Sequence, residues 1–184
     1  MRGLLLLADG FEDTEALTTR DVLIRGGLEV LTASISDSII VTSSFGVQVA
    51  ANTLLSKITS FDSFDFLVLP GGGRGTQNLK DSVLVKTTIE NFMNANKLVC
   101  AICAAPSILG KYGYLENKHF TCFAGCENGY PGIFTGEEVV KEDNIITARS
   151  MLYSVPFALE IIETLLGKEI KEKVLIGLKG QVSK

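Results

Sequence analysis

Leu98-Val99-Cys100-Ala101-Ile102-Cys103-Ala104-Ala105-Pro106-Ser107-Ile108-Leu109 is the stretch that decides the architecture. Leu98–Ile102 is apolar at every position, so a strand formed there must be covered on both faces, as in a parallel sheet sandwiched by helices. Helical character restarts over Ala104–Leu109 with no loop between, and Cys103 falls on the junction. A strand running straight into a helix is the setting of a nucleophile elbow, here without the flanking glycines of the G-x-S-x-G version. The free amides and positive end of the following helix are expected to favour thiolate at Cys103 and lower its pKa. The competing reading is a small apolar cysteine filling a tight bend.

Outward from that stretch the same alternation recurs. Gly3–Ala8 reads as a buried strand stopped by Asp9-Gly10. Asp13–Arg25 has a helical apolar face (Leu17, Val22, Leu23) and ends at Gly26-Gly27. Leu28–Ile35 returns to strand, and Ile39–Ser43 with Val47–Ala51 read as a hairpin around a Ser-Phe-Gly turn. Asp65–Leu69 is a strand running into Pro70-Gly71-Gly72-Gly73, followed by a polar loop and a helix over about Asp81–Asn94. His119–Phe123 reads as a strand and Cys126–Gly132 as a loop. Val139–Lys141 and Asn144–Ala148 pair across Glu142-Asp143, and a helix over Val155–Leu166 ends at Gly167 before a short amphipathic tail. Strands alternating with helices imply right-handed parallel crossovers. The fold class is therefore α/β: a flavodoxin-like doubly wound sandwich with a mostly parallel central sheet and helices on both faces. In such sheets ligands bind beyond the carboxyl ends of the strands, which is where Asp9–Glu15, Pro70–Gly75 and Cys100–Ala105 fall.

Composition narrows the function classes. The chain has 184 residues, read as one domain over 1–184, and 46% of them are hydrophobic against 21% charged, which excludes intrinsic disorder. The net charge is −4 with no basic run, so nothing points to nucleic acid. No apolar run approaches the roughly 20 residues that span a bilayer. Asp9 interrupts the N-terminal Leu run before a signal-peptide core could form. Four cysteines in so apolar a chain are not a disulfide framework, and the expectation is a cytoplasmic protein with reduced thiols.

Two other segments can carry chemistry. Glycines in Leu69–Gly75 let the backbone aim amides at an anion, and the N–H groups near Gly72, joined by that of Ala104, form a candidate oxyanion pocket. The alternative is a flexible loop. Glu12, Asp13 and Glu15 open a helix, where acidic residues ordinarily complement the dipole. One of them facing a thiolate in a dry pocket would instead stay protonated and donate to sulfur. Cys100-x2-Cys103 and Cys122-x3-Cys126 have zinc-ribbon spacing, but Cys100 lies inside a buried strand rather than a polar turn, so no metal site is expected. A thioredoxin-type redox pair is disfavoured because both its cysteines belong near a helix start. His119, the single histidine, falls at a strand start and reads as a surface residue.

Together the strand into Ala8-Asp9-Gly10-Phe11-Glu12-Asp13-Thr14-Glu15, the strand into Leu69-Pro70-Gly71-Gly72, and Ala101-Ile102-Cys103-Ala104-Ala105-Pro106 resemble the ThiJ/PfpI superfamily. The likeness is strongest to the branch of the Parkinsonism-associated deglycase and its bacterial relatives. It extends through Val22–Val30, Gln77–Leu79 and the closing Phe157–Glu169. The resemblance implies a class I glutamine-amidotransferase-like domain with Cys103 as the reactive cysteine and Glu15 as its protonated carboxyl partner. Gly71, Gly72 and Ala104 would supply the backbone pocket. It also implies a cofactor-free homodimer, with glyoxalase, protein deglycase, redox-sensing and chaperone activities attributed to the family. Two departures stand out. Thr121-Cys122-Phe123 replaces a histidine that relatives often carry near the reactive cysteine, and Ser150-Met151-Leu152-Tyr153 replaces a Gly-Pro-Gly-Thr-like turn.

Three functions compete. In the first, Cys103 adds to a reactive aldehyde or a glycated group as a hemithioacetal, Glu15 shuttles the proton, and hydrolysis releases a hydroxyacid. In the second, the protein is an oxidative-stress sensor or chaperone whose Cys103 is oxidised to sulfinate. The third, a cysteine peptidase, lacks a base.

Overall fold

The computed structural model describes residues 1–181; positions 182–184 of the 1–184 span lie outside the described residues. In chain order the elements are β1 (Arg2–Leu7), α1 (Asp13–Arg25), β2 (Glu29–Ser34), β3 (Ile40–Thr42), β4 (Gln48–Ala50), β5 (Thr53–Leu54) and β6 (Phe66–Leu69). They continue as α2 (Gly73–Asp81), α3 (Val83–Asn94), β7 (Leu98–Ile102), α4 (Pro106–Lys111), β8 (His119–Phe120), β9 (Ile133–Phe134), β10 (Val139–Glu142), β11 (Ile145–Ala148), α5 (Ser154–Leu166) and α6 (Lys168–Leu178).

The central sheet runs β10-β11-β7-β6-β1-β2-β5 and is parallel throughout except for the β10–β11 pair. Side chains alternate across it, so a continuous apolar run feeds two cores at once. Leu5 and Leu7 join Phe66, Val68, Cys100 and Ile102 under α1, α5 and α6. Leu4 and Leu6 join Leu67, Leu69, Val99 and Ala101 under α2, α3 and α4. Fully burying one such Leu contributes about 1.5–3 kcal/mol, and repeating it on both faces fixes the register. Strand spacing leaves no room for error: a Cβ on Gly3 would sit 2.1 Å from the Phe66 ring.

The chain leaves β1 toward β2 on one side and returns through β6 on the other, so the order reverses between β1 and β6. Crevices open at such switch points beyond the strand ends. The loops after β1, β6 and β7 converge there.

Four local readings are corrected. The stretch read as a polar loop before Asp81 is helix α2, held down by buried Gly75, Thr76 and Leu79. Two helices therefore replace the single one expected to begin near Asp81; Ser82 separates them and caps α3, its hydroxyl accepting from Val85 N–H at 3.3 Å. The strand expected over His119–Phe123 is only His119–Phe120, and it pairs with β9 in a separate two-stranded sheet. The tail after Gly167 is helix α6. No helix among the described residues is long and apolar enough to cross a membrane.

Candidate active site

Three loops build the site, and backbone hydrogen bonds stitch them together. Glu12 N–H donates to the Gly71 carbonyl at 3.1 Å, and Gly75 N–H donates to the Gly10 carbonyl at 3.0 Å. The approach is close enough to require glycine. Gly72 has φ +90°, and a Cβ on it would meet the Gly10 oxygen at 2.3 Å.

The three acidic residues of the first segment separate by role. Glu12 is the N-cap of α1, its Oε2 accepting from Glu15 N–H at 2.7 Å, and Asp13 opens the helix half-exposed. Glu15, one turn in, is completely buried. Its Oε2 accepts from Gly71 N–H at 2.8 Å, while Oε1 is buried without a conventional donor. The Cys103 thiol lies against the same carboxyl group. A Cβ at Gly71 would come within 2.5 Å of Glu15 Oε2 and 2.9 Å of Cys103 Cβ, so these three residues meet at one point. Gly71 was expected to offer its amide to the pocket; that amide is instead engaged by Glu15 and holds the carboxyl in place.

Cys103 carries φ +64°, one of four positive-φ non-glycine residues among the described residues. That conformation costs a side chain about 1–3 kcal/mol and persists only where the surroundings hold it. Here Cys103 N–H donates to the Ala148 carbonyl at 2.8 Å, and its own carbonyl accepts from Phe123 N–H at 2.7 Å. The tight turn is closed by Ala105 N–H to the Ile102 carbonyl at 3.0 Å, and α4 begins only at Pro106. The sharp reversal expected at this junction is therefore present, with the thiol half-buried at its apex.

Electrostatics at the pair differ from the expectation of a depressed thiol. Burial, followed by the charge and hydrogen bond of Glu15, pushes Cys103 up, and only the Ala104 amide draws it down. Burial likewise raises Glu15, to about 7, with the Glu12 charge adding to it and the Cys103 and Gly71 hydrogen bonds opposing it. The two groups titrate as a unit. Above the carboxyl transition the pair holds one proton, as thiol with carboxylate or as thiolate with carboxylic acid.

The remaining residues sort clearly. Among the described residues the Gly72 N–H donates no hydrogen bond, while the Ala104 amide is directed at the Cys103 sulfur. Cys100 points into the core and is fully buried. His119 lies on the surface with Nδ1 3.2 Å from Glu142 Oε2. Ser150–Tyr153 follows directly on Ala148-Arg149 and forms a single 3-10 turn, with Leu152 74% exposed. Its separation from the Cys103-bonded Ala148 is two residues, so this departure borders the site. Glu127 is the residue that sequence reasoning passed over: its Oε2 faces Cys122 Sγ at 3.8 Å and accepts from Gly125 N–H at 2.6 Å. Reading the Cys122–Cys126 spacing only for metal hid it.

Comparison with known proteins accords with this geometry. The chain is 36% identical to protein dj-1beta of Drosophila melanogaster over 179 residues, covering 95% of each. It is 31% identical over 176 residues to the glutathione-independent glyoxalase DJR-1.2 of Caenorhabditis elegans, covering 94% of this chain and 92% of that one. It spans only 38% and 44% of the length of the Arabidopsis thaliana DJ-1 homologs B and A. The crystal structure of Drosophila DJ-1beta superposes with a TM-score of 0.91 at 34% identity over 100% of this chain and 98% of that one. Oxidized Toxoplasma gondii DJ-1 gives 0.92 at 30% identity over 97% of both. With residues 1–164 matching the family model as well, the chain belongs to the DJ-1/PfpI family.

Proposed function

We propose that this protein is a cysteine-dependent, cofactor-independent enzyme of the aldehyde-stress response, hydrolysing α-ketoaldehydes such as methylglyoxal to hydroxyacids. The observation that carries the reading is a fully buried carboxyl held near neutrality against the thiol at the strand-end crevice. A general acid–base works best when its pKa lies near the working pH. The named activity of the C. elegans relative supports the same class of substrate.

The steps balance on the residues present. Cys103 sulfur adds to the aldehyde carbon as its proton passes to Glu15, and Glu15 then returns that proton to the carbonyl oxygen, which becomes the hydroxyl of a hemithioacetal and leaves Glu15 ionised for the next step. Gly72 and Ala104 amides face the oxygen where charge develops. Glu15 then moves a proton from the first carbon to the second through an enediol, which oxidises the former to a thioester and reduces the latter to an alcohol. Water hydrolyses the thioester and restores the thiol. The net reaction consumes one water and yields one hydroxyacid.

A second reading, a redox sensor in which Cys103 is oxidised to sulfinate, has the oxidized Toxoplasma neighbour in its favour. A Cys–His peptidase gains nothing from His119, which is engaged with Glu142 at the surface. We further take the working form to be a two-fold dimer, in line with exposed Phe45, Val47, Ile39 and Ile40 on the β3–β4 hairpin. The test of activity is D- and L-lactate formation from methylglyoxal without glutathione, by wild type and Cys103→Ser. Loss of activity in the variant supports the reading. Equal activity in both, or none in wild type, overturns it.

A further inference from the structure

Three of the four thiols gather at one end of the sheet. The segment Thr121–Cys126 passes beside the elbow, joined to it by the 2.7 Å hydrogen bond from Phe123 N–H to the Cys103 carbonyl. A turn then brings Cys126 back, its N–H donating to the Phe123 carbonyl at 2.9 Å. The Cys126 thiol is near enough for its charge to act on both Cys103 and Cys122.

The two candidates for partner of Cys103 are not equivalent. Cys122 is fully buried, and its S–H faces Glu127 Oε2 at 3.8 Å. Burial, with the charges of Cys126 and Glu127, raises its pKa to about 12. Cys126 is half-exposed, like Cys103. Burial raises it too, but the Lys80 ammonium on α2 pulls the other way. The turn carrying Cys126 lies at the surface: Phe123, Ala124 and Gly125 are all exposed. Gly125 has φ +92° with nothing within 4 Å of its Cβ direction, so open space lies beside the turn. A disulfide needs Cα atoms about 4.4–6.8 Å apart, and the two backbone bonds through Phe123 bring the Cys126 backbone toward that of Cys103.

We propose that Cys126 is a resolving thiol for Cys103, converting a peroxide-oxidised Cys103 into a reversible disulfide before it reaches sulfinate. The oxidant is a hydroperoxide. Cys103 thiolate attacks the distal peroxide oxygen, the O–O bond breaks, and alcohol or water leaves with the proton, giving Cys103 sulfenic acid. Cys126 thiolate then attacks that sulfur, the S–O bond breaks, and the hydroxide leaves as water once it takes up the thiol proton. Two electrons from a small dithiol restore both thiols. This places a thiol-peroxidase cycle on the chain, independent of the aldehyde chemistry proposed above.

The experiment treats reduced full-length protein with stoichiometric hydrogen peroxide, quenches it with an alkylating agent and maps it by mass. Cleavage after Lys97, Lys111, Lys118 and Lys141 leaves Cys100 with Cys103 in one peptide and Cys122 with Cys126 in another, so a further chymotryptic cut after Phe123 separates the latter two. Fragment ions distinguish Cys103 from Cys100. The expected result in wild type is loss of two hydrogens in a Cys103–Cys126 cross-link that dithiothreitol reverses. In Cys126→Ser, Cys103 should gain two oxygens several-fold faster and irreversibly, while the reduced variant keeps wild-type lactate formation. A Cys122–Cys126 cross-link, or sulfinate at Cys103 accumulating equally fast in both proteins, overturns the proposal. Wild-type mapping alone decides the matter should Cys126→Ser fold poorly. A wild type that cross-links as expected but makes no lactate refutes the aldehyde reading and leaves this one standing.

Discussion

Replacing Glu15 by Gln should stabilise the protein, and by an amount that grows with pH. The buried carboxyl has its pKa raised from 4.5 to about 7 by burial. Between those values the native state holds a proton that the unfolded state has released, so native stability falls as pH rises through this window. At pH 4 both states are protonated and the cost is close to zero. By pH 6 it reaches about 2 kcal/mol, and by pH 8 it levels near 3 kcal/mol, at 1.36 kcal/mol per pH unit. Gln carries no such penalty. Its amide oxygen can accept from Gly71 N–H as Oε2 does, and its NH2 can face Cys103, so the site should keep its packing. Urea unfolding of reduced wild type and Glu15→Gln from pH 4 to 8, at one fixed protein concentration, reads the difference. A gain of about 3 kcal/mol corresponds to a midpoint shift of about 1–2 M at a slope of about 2 kcal/mol/M. In a Cys103→Ala background Glu15 loses the hydrogen bond that lowers its pKa, so the window should extend upward. A difference between wild type and variant that is flat from pH 4 to 8, or that shrinks with pH, would show that Glu15 is an ordinary ionised carboxylate in the fold.

Further outcomes follow from the same geometry. Gly71→Ala puts a Cβ 2.5 Å from Glu15 Oε2, and the displaced carboxyl should lower lactate formation about 10²-fold at a stability cost of about 1–3 kcal/mol; unchanged turnover would detach Gly71 from the site. Removing the Glu15 charge should speed iodoacetamide labelling of Cys103 at pH 8, by about tenfold if its pKa falls one unit, and slower labelling of Glu15→Gln would contradict the assigned cause. Cys100 should stay unlabelled until the protein unfolds, since it is fully buried. Sedimentation at micromolar concentration should show a dimer, and a lone 19.8 kDa species would refute the two-fold assembly.

The continuous apolar strands made the layered architecture legible, because a run such as Leu4–Leu7 has no reading that leaves one face wet. Cys103 was legible for a similar reason: a strand and a helix meeting without spare residues force a reversal at one position. Helix α2 was not, since Gly73-Arg74-Gly75 looks like turn chemistry and only tertiary burial of Gly75, Thr76 and Leu79 keeps it helical. The choice of Glu15 over Glu12 and Asp13 came from resemblance; helix periodicity alone does not say which first-turn carboxyl a neighbouring loop will cover. The direction of the thiol's pKa was misjudged because the sequence locates a helix but not the burial and the Glu15 charge that push the thiol up. Nor does spacing reveal that Phe123 N–H reaches the Cys103 carbonyl, the contact that brings the second pair of thiols to the site.

A thiol held high and a carboxyl held near neutrality work as one device. Above about pH 7 the pair carries a single negative charge on a carboxylate that the pocket solvates poorly. In the proposed addition of sulfur to an aldehyde, the thiol proton moves to Glu15 and that charge develops on the carbonyl oxygen, before the proton is returned to it. The net charge of the pocket is unchanged through the step. In the proposed mechanism what changes is its position, from a buried oxygen with one amide donor to an oxygen that the Gly72 and Ala104 amides would receive. The roughly 3 kcal/mol that Glu15 costs the folded state at pH 8 is relieved as it takes up the proton, and so favours the addition step. A free thiolate would need no such partner, but a hydroperoxide would also consume it faster. Keeping the proton on the pair until a carbonyl arrives thus favours addition over oxidation. On the same logic, the resolving role proposed for Cys126 would serve only the oxidation that still occurs.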